Sequence, residues 1–378
     1  MAAALLISGL ANARAGTEVS TNDLALIPDT PSLWKESLLW DYSATLRAGL
    51  GYKDNVPLSA TAPQGSPFFT SGLDLVILRL PLDSLGFEFS VTGDDKRYWR
   101  DIQGIQGEDF FQARAQLEKY FGGHWRAGLE IRDVYADQVQ PELLDSTGGV
   151  QVIQAKGDAL TARPFIRCDL GTNWWVQLEA PISRDWWLTP LDDYWQYGAQ
   201  VILGRNFGRQ SEISLTGGAF YLPHDDWHAL DSTGTNNLGR TLAIWRQLAE
   251  LKWTWHWDAA RHWFSTTKLG FQHDQDNGGG YFDYNRYSVS HALRFQTENW
   301  LIEGTAMASY YDFLVQPAVT APGPTLSLGL LTLSARVERR VFKSLRLFAA
   351  YEHEQGFSND PTSEYKSNIA SGGLSWEF

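Results

Sequence analysis

Apolar and polar residues alternate one by one along most of the chain beyond residue 40. The stretch 241–257 is the clearest example, because one set of alternate positions is apolar and the other polar. The apolar set holds Trp245, Ala249, Leu251, Trp253 and Trp255, and the polar set holds Arg246, Glu250, Lys252, Thr254 and His256. A period of two arises from a β-strand and not from a helix. The pattern therefore predicts an all-β chain.

The same alternation recurs down the chain, and it predicts sixteen strands. They lie near 41–54, 70–82, 85–96, 108–121, 124–137, 158–170, 173–184, 194–206, 210–222, 241–257, 262–274, 281–297, 299–313, 326–341, 344–356 and 364–378.

The connections between these strands alternate in length. Tight turns such as Phe121–His124 and Phe342–Ser344 alternate with longer segments rich in Gly, Pro, Asp, Asn and Thr. The longer segments lie near 55–69, 97–107, 138–157, 185–193, 223–240, 275–280, 314–325 and 357–363. Short periplasmic turns and long extracellular loops are typical of bacterial membrane barrels, in which closure pairs every backbone group. We therefore predict a single closed antiparallel up-and-down transmembrane β-barrel of about sixteen strands.

The N-terminal residues have a different character. Residues 1–15 form an apolar stretch that ends in small residues at A-x-A spacing, which predicts a secretory signal peptide. Residues 16–40 carry Pro28 and Pro31 without a regular period and are interpreted as a periplasmic lead-in. The predicted barrel then occupies residues 41–378.

Composition fits this prediction and excludes some functions. The 378 residues include 17 Trp, 15 Tyr and 34 Gly, as girdles of interfacial aromatics and tight turns require. The single cysteine, Cys168, excludes a disulfide framework. A net charge of −13 argues against nucleic acid as a partner. We expect no cofactor and no metal site.

The polar row of each predicted strand would line the interior of the barrel, and it is rich in charge. As pore-lining residues we predict Arg47, Arg114, Glu118, Arg126, Glu130, Arg132, Arg163, Arg167, Arg246, Glu250, Arg286, Arg294, Arg336, Glu338 and Arg340. Fixed charges along a wet pore select polar solutes. The alternative is that these charges pair across neighbouring strands and stiffen the wall. Since arginines outnumber acids in this set, we expect a weak preference for anionic solutes.

Other candidate sites are weaker. The residues Trp174, Trp175, Trp186, Trp187, Tyr194, Trp195 and Trp227 suit either a sugar-stacking entrance or an interfacial girdle. The loop from Asp274 to Asp283 resembles part of a calcium-binding loop but lacks the closing Glu. With no GxSxG or HExxH motif, we predict that the protein is not an enzyme.

The chain ends on the amphipathic strand EYKSNIASGGLSWEF, which resembles the C-terminal signal of Gram-negative outer-membrane β-barrels. In that class the barrel-assembly machinery reads this signal, so the resemblance assigns Trp376 and Phe378 to assembly. It also implies an outer-membrane location, with membrane lipid and lipopolysaccharide as neighbours. The architecture is similar to that of sixteen-stranded porins. It is also similar to the barrels of exopolysaccharide secretion systems, and Gly49–Ser59 (GLGYKDNVPLS) resembles the opening strand of barrels found with surface-polysaccharide loci.

Three functions remain open at this point. The leading prediction is a channel for small polar, possibly anionic, solutes. The alternatives are the outer-membrane pore of a multi-protein secretion system, for polysaccharide or other cargo, and a plugged structural or adhesive barrel. Partners would then be a second copy of the chain or an envelope secretion complex. Either of the loops 138–157 and 223–240 is long enough to fold inward as a constriction, the first through Leu143, Leu144, Val150, Val152 and Ile153.

Overall fold

A computed structural model describes residues 40–80, 84–142, 151–188, 190–236, 238–318 and 323–378. The predicted signal peptide and all but the last residue of the predicted lead-in lie outside the described residues. The strands are β1 (Trp40–Lys53), β2 (Ser66–Arg79), β3 (Leu85–Ile102), β4 (Ile105–Phe121), β5 (Trp125–Glu142), β6 (Gln151–Leu170), β7 (Trp174–Glu179), β8 (Ile182–Trp187), β9 (Tyr194–Phe207), β10 (Ser211–His228), β11 (Thr241–His256), β12 (Trp263–Asp276), β13 (Tyr284–Gln296), β14 (Trp300–Pro317), β15 (Thr325–Arg340), β16 (Leu345–Ser358) and β17 (Tyr365–Glu377).

The strands form one closed antiparallel ring. Apart from β7 and β8, each strand pairs with its neighbours in sequence, and β1 closes the ring by pairing with β17 from Thr45↔Glu377 to Lys53↔Ile369. Both β7 and β8 lie between β6 and β9, so the seventeen strands fill sixteen positions. The interruption falls at Ala180–Pro181, where the proline lacks the N–H that a continuous ladder needs. The predicted sixteen-position barrel is confirmed, with 173–184 divided into two segments.

Large apolar side chains on the outer faces of the strands are exposed. On β13, for example, Tyr287, Val289 and Leu293 point outward and are exposed. Aromatic residues border this apolar belt, with Trp263 and Phe295 at the end of the barrel that carries the short turns and Phe271 and Tyr287 toward the other end. We call these the turn end and the loop end. A closed barrel with such a belt spans the outer membrane of Gram-negative bacteria, which is the predicted location.

Within the described residues, no helix has the length and apolar character needed to cross a membrane.

One predicted loop is replaced by a hairpin. The segment 97–107 was expected to be a long loop, but β3 continues to Ile102 and β4 begins at Ile105. The two strands are joined by Gln103 and Gly104, which both have positive φ (58° and 89°). Two such residues form the tight turn that matches the twist of a β-hairpin. The wall therefore extends further beyond the membrane here than the sequence analysis predicts.

Loops at the loop end fold over the interior of the barrel. Leu230, after β10, and Tyr281 and Phe282, after β12, pack against inward-facing residues of β9–β11 such as Leu242 and Ile244. Val56 and Leu58 cover inward residues of β2 and β17 in the same way, and Leu191 packs on Ala155 of β6. The apolar side chains of these loops gain burial only against the interior wall. They narrow the outer mouth of the barrel.

Of the two loops considered as constrictions, 223–240 contributes through Leu230, although its first residues belong to β10. The other prediction is wrong for the described part of 138–157. Residues 138–142 pair with 151–155 and simply extend the wall, and Ile153 packs against the cluster of Ala155 and Leu191. Leu143, Leu144 and Val150 lie outside the described residues.

Candidate functional site

The predicted pore-lining residues lie on the interior face of the barrel. On each strand they alternate with the exposed apolar residues of the belt, so they occupy the opposite face. This placement holds for Arg47 on β1, Arg114 and Glu118 on β4, Arg126, Glu130 and Arg132 on β5, Arg163 and Arg167 on β6, Arg246 and Glu250 on β11, Arg286 and Arg294 on β13, and Arg336, Glu338 and Arg340 on β15.

Three adjacent strands bring arginines together around one carboxylate. Glu130 of β5 accepts a hydrogen bond from Arg114 at 2.8 Å and another from Arg132 at 3.0 Å, and it lies 3.5 Å from Arg163 Nη1. Arg114 and Arg132 are directly opposite each other across β4 and β5. Like charges in opposite positions repel each other. The carboxylate of Glu130 compensates for that repulsion, so the three arginines are held in a fixed arrangement.

Two further carboxylates complete this group. Glu88 of β3 lies 3.0 Å from Arg114, and Glu179 of β7 lies 3.6 Å from Arg163. The Arg163 side chain is more exposed than the other two guanidinium side chains, at 28% against 17% for Arg114 and 14% for Arg132. Arg163 is therefore the cation of this group that a solute inside the barrel reaches most easily.

A second pair of arginines lies nearer the turn end on the same strands. Arg126 and Arg167 are directly opposite each other across β5 and β6. Arg126 lies 3.8 Å from Glu118, and Arg167 lies 3.2 Å from Asp169. The Arg167 guanidinium also stacks 3.8 Å from the ring centroid of Trp175, close enough for a cation–π interaction. Together the five arginines form a column on β4–β6, which we call the arginine column.

Arginines on the other strands of the ring also bind carboxylates on the interior face. Arg47 binds Asp74 and Asp94, Arg294 lies 3.4 Å from Glu303, and Arg336 lies 2.7 Å from Glu338. Arg340 and Arg346 share Glu377 of the last strand, each at 3.2 Å. Arg246 forms a bidentate pair with the fully buried Asp274. Arg286 donates to Ser309 and lies over the ring of Tyr311.

Further carboxylates on the folded wall offset much of the surplus of arginine that the sequence predicts. Asp74, Glu88, Asp94, Glu303 and Glu377 stand on the interior face and bind the arginines. Asp94 falls where the alternation is interrupted, in Gly93-Asp94-Asp95, whereas Glu88 stands in regular alternation between Phe87 and Phe89. The pairing alternative is the one that the structure supports.

The loop end of the interior carries a charged group that the sequence analysis missed. Lys53 of β1 lies 2.7 Å from Glu108 of β4, and both are buried. Tyr98 donates to the same carboxylate, and Lys96 lies 3.5 Å from it. Lys53 is a polar member of an alternating stretch, but Glu108 stands beside Asp109 and lies 55 residues away, so the sequence hides the contact.

Two weaker candidate sites have structural explanations. The carboxylate of Asp276 accepts backbone N–H groups of Gly278, Gly280 and Phe282, so the calcium-like loop is closed by its own amides. In the tryptophan-rich segment the rings divide between the two faces. Trp174, Trp186 and Trp195 are exposed on the outside, whereas Trp187 and Trp227 pack inside. Among the described residues, no group of three or more metal-binding side chains occurs.

The predicted assembly signal lies on the outer face at the turn end. Trp376 and Phe378 are exposed, and their rings stack with centroids 5.7 Å apart. The backbone N–H of Phe378 donates to Ala44, which ties the chain end to the first strand. An aromatic pair at this position belongs to the interfacial girdle. Its role in assembly stays a prediction.

No protein-family model matches the chain, and no curated protein matches it. Solved structures similar to it include an anion-selective porin from Comamonas acidovorans, at 12% identity and a TM-score of 0.43, covering 90% of this chain and 99% of that one. Acinetobacter baumannii OccAB3 is similar at 10% identity and a TM-score of 0.43, with coverage of 90% and 99%. A bacterial polysaccharide outer membrane secretin is similar at 9% identity and a TM-score of 0.41, with coverage of 89% and 98%.

Proposed function

We propose that the barrel is a channel through which small polar solutes cross the outer membrane. The observation that carries this proposal is the charged interior wall, in particular the arginine column and its carboxylates on β3–β7. A purely structural barrel interior has no need for so many ionised groups, since each must be solvated or paired. At about sixteen strands the side chains no longer fill a barrel, so water can occupy the space between the walls.

The arrangement of charges supports weak selectivity. A solute passing the wall meets guanidinium groups that already have carboxylate partners, so the fixed field along the path is small. Arg163 is the most exposed of the three arginines around Glu130, and it offers a planar donor fork suited to carboxylates. A slight preference for anionic solutes is the expected result.

In this proposal the loops at the loop end limit the size of the solutes that can pass. Leu230, Tyr281 and Phe282 occupy the inner side of β9–β11, and Val56 and Leu58 occupy the inner side of the first strands. These loops are held in place by short-range caps, for example Asp231, which accepts the N–H groups of Thr233 and Thr235. Loops fixed in this way act as a standing constriction that excludes large solutes.

Single-channel recording of the refolded protein in a planar bilayer tests the proposal. We expect steady ohmic steps, and under a salt gradient a reversal potential slightly displaced toward the anion. The variant Arg163→Ala should move the reversal potential toward zero or toward cations, whereas Arg97→Ala, on the exposed outer face, should leave it unchanged. A folded barrel that shows no conductance would overturn the channel proposal.

A further inference from the structure

A histidine faces the lipid at mid-depth of the membrane belt. His291 of β13 lies on the outer face of its strand and is exposed. Its Nδ1 lies 2.9 Å from the hydroxyl oxygen of Thr267, its register partner on β12. This bond engages one of the two ring nitrogens. A polar ring and a hydroxyl therefore stand together beside Val289 and Leu293, the apolar outward residues on either side of His291.

The depth of this pair follows from its neighbours along the strand. His291 stands four residues from Tyr287 and four from Phe295, which are the aromatic residues at the two borders of the belt. At a rise of about 3.4 Å per residue and a tilt of about 40°, it lies roughly 10 Å from each border. That position is the middle of the hydrocarbon layer, where a polar side chain is most costly against lipid.

The strand beside the pair offers a flat surface. Gly304, Ala306 and Ala308 are the outward residues of β14 in this part of the belt, and Ala306 is the register partner of His291. A Cβ added to Gly304 would meet only the Ser334 carbonyl oxygen, at 3.8 Å, so the surface above it is open. Small side chains let a second protein surface approach the strand closely.

We propose that the outer face of β12–β14 is an interface with a second copy of this chain. The depth of His291 in the membrane points to this partner. In a two-fold dimer inside a membrane the axis is parallel to the membrane normal, so a residue beside the axis meets its own equivalent at the same depth. The proposed interface places the outer face of β13–β14 beside that axis. The Thr267–His291 pair of one copy therefore reaches the same mid-depth polar pair of the next. A hydrogen bond between copies removes the polar groups from the lipid.

Cysteine cross-linking tests the proposal. The native Cys168 is first replaced by Ser, and Ala306→Cys is introduced into that background. Ala115→Cys is the matched control, because Ala115 lies on the outer face of β4 on the other side of the ring. In bacterial outer membranes treated with a short bis-maleimide, we expect a covalent dimer from Ala306→Cys at roughly tenfold the yield from Ala115→Cys. Equal yields from the two positions, or none from Ala306→Cys, would overturn the proposal.

A second measurement separates an interface from a local role of the histidine. His291→Leu replaces the polar ring by an apolar aliphatic side chain that lipid accepts. If the face is an interface, the molar mass of the particle in mild detergent should fall from that of an oligomer to that of a monomer, while the barrel stays folded. An unchanged molar mass for His291→Leu, or a monomeric wild-type protein, would contradict the proposal.

Discussion

Neutralising Glu130 should both destabilise the barrel and change its selectivity. The variant Glu130→Gln keeps the shape of the side chain but removes the charge that holds Arg114, Arg132 and Arg163 at 2.8, 3.0 and 3.5 Å. A hydrogen bond to a charged group contributes about 1.5–3 kcal/mol. Arg114 keeps Glu88 as a partner and Arg163 keeps Glu179. The loss of stability should therefore be smaller than the sum of three such bonds. We expect the free energy of unfolding to fall by about 2 kcal/mol.

Urea unfolding in lipid vesicles, followed by tryptophan fluorescence, measures this loss. Glu298→Gln is the matched control, since Glu298 is 82% exposed and lies 3.7 Å from Arg340. An exposed pair of this kind contributes about 0–1 kcal/mol. In planar bilayers Glu130→Gln should also shift the reversal potential toward the anion, because one positive charge on the wall becomes uncompensated. If the two variants unfold alike and show the same reversal potential, the assignment of Glu130 as the centre of the arginine column is refuted.

Three further predictions concern the loops and the chain end. Leu230→Asp should release the loop after β10 from Leu242 and Ile244, at a cost of about 2 kcal/mol in loop docking, and single-channel conductance should rise. Burial raises the pKa of Asp192, but hydrogen bonds from His224 and from the N–H groups of Trp227 and Asp226 outweigh it and hold the pKa below the ordinary 3.8. This carboxylate therefore stabilises its loop above pH 3.8, and hydrogen-exchange protection of these amides should be constant from about pH 7 to 5 and be lost below 3.8. Deleting Phe378 should lower the yield of folded barrel in cells several-fold, whereas refolding of the purified chain in detergent should change little.

The sequence predicts the barrel well because a transmembrane strand obeys two rules at once. Its outer face must be apolar and its length must span the membrane, so the alternation is regular over many residues. Even the interruption at Pro181 leaves the pattern of 173–184 in place, since β7 and β8 together fill one position of the ring. The hairpin at Gln103–Gly104 was missed because it lies beyond the membrane, where the outer face no longer has to be apolar.

The contacts between side chains inside the barrel are harder to predict from the sequence, for a related reason. Alternation tells which residues face inward, but it contains no information on which of them meet. The three arginines around Glu130 contribute to an apparent excess of positive charge when arginines and acids are counted along the chain. Their carboxylates come from strands that the registers bring alongside, Glu88 from β3 and Glu179 from β7. Register is set by backbone pairing over the whole strand, so these contacts require the folded ring.

The packing of the inward loops against the interior wall is also not predicted from the sequence, and this packing affects function. Leu230 lies in a segment rich in Gly, Asp and Asn, which on the sequence alone is a solvated connection. The alternation predicts a strand over 281–297 that begins with Tyr281 and Phe282, but β13 begins only at Tyr284. These apolar loop residues find partners only because β9–β11 present Leu222, Leu242 and Ile244 on the interior face at that height. The apolar cluster around Leu230 on β9–β11 and the arginine column on β4–β6 are separate parts of the interior. The first restricts the size of a solute and the second acts on its charge, so conductance should respond to changes at Leu230 and reversal potential to changes at Glu130, with little crossover between the two.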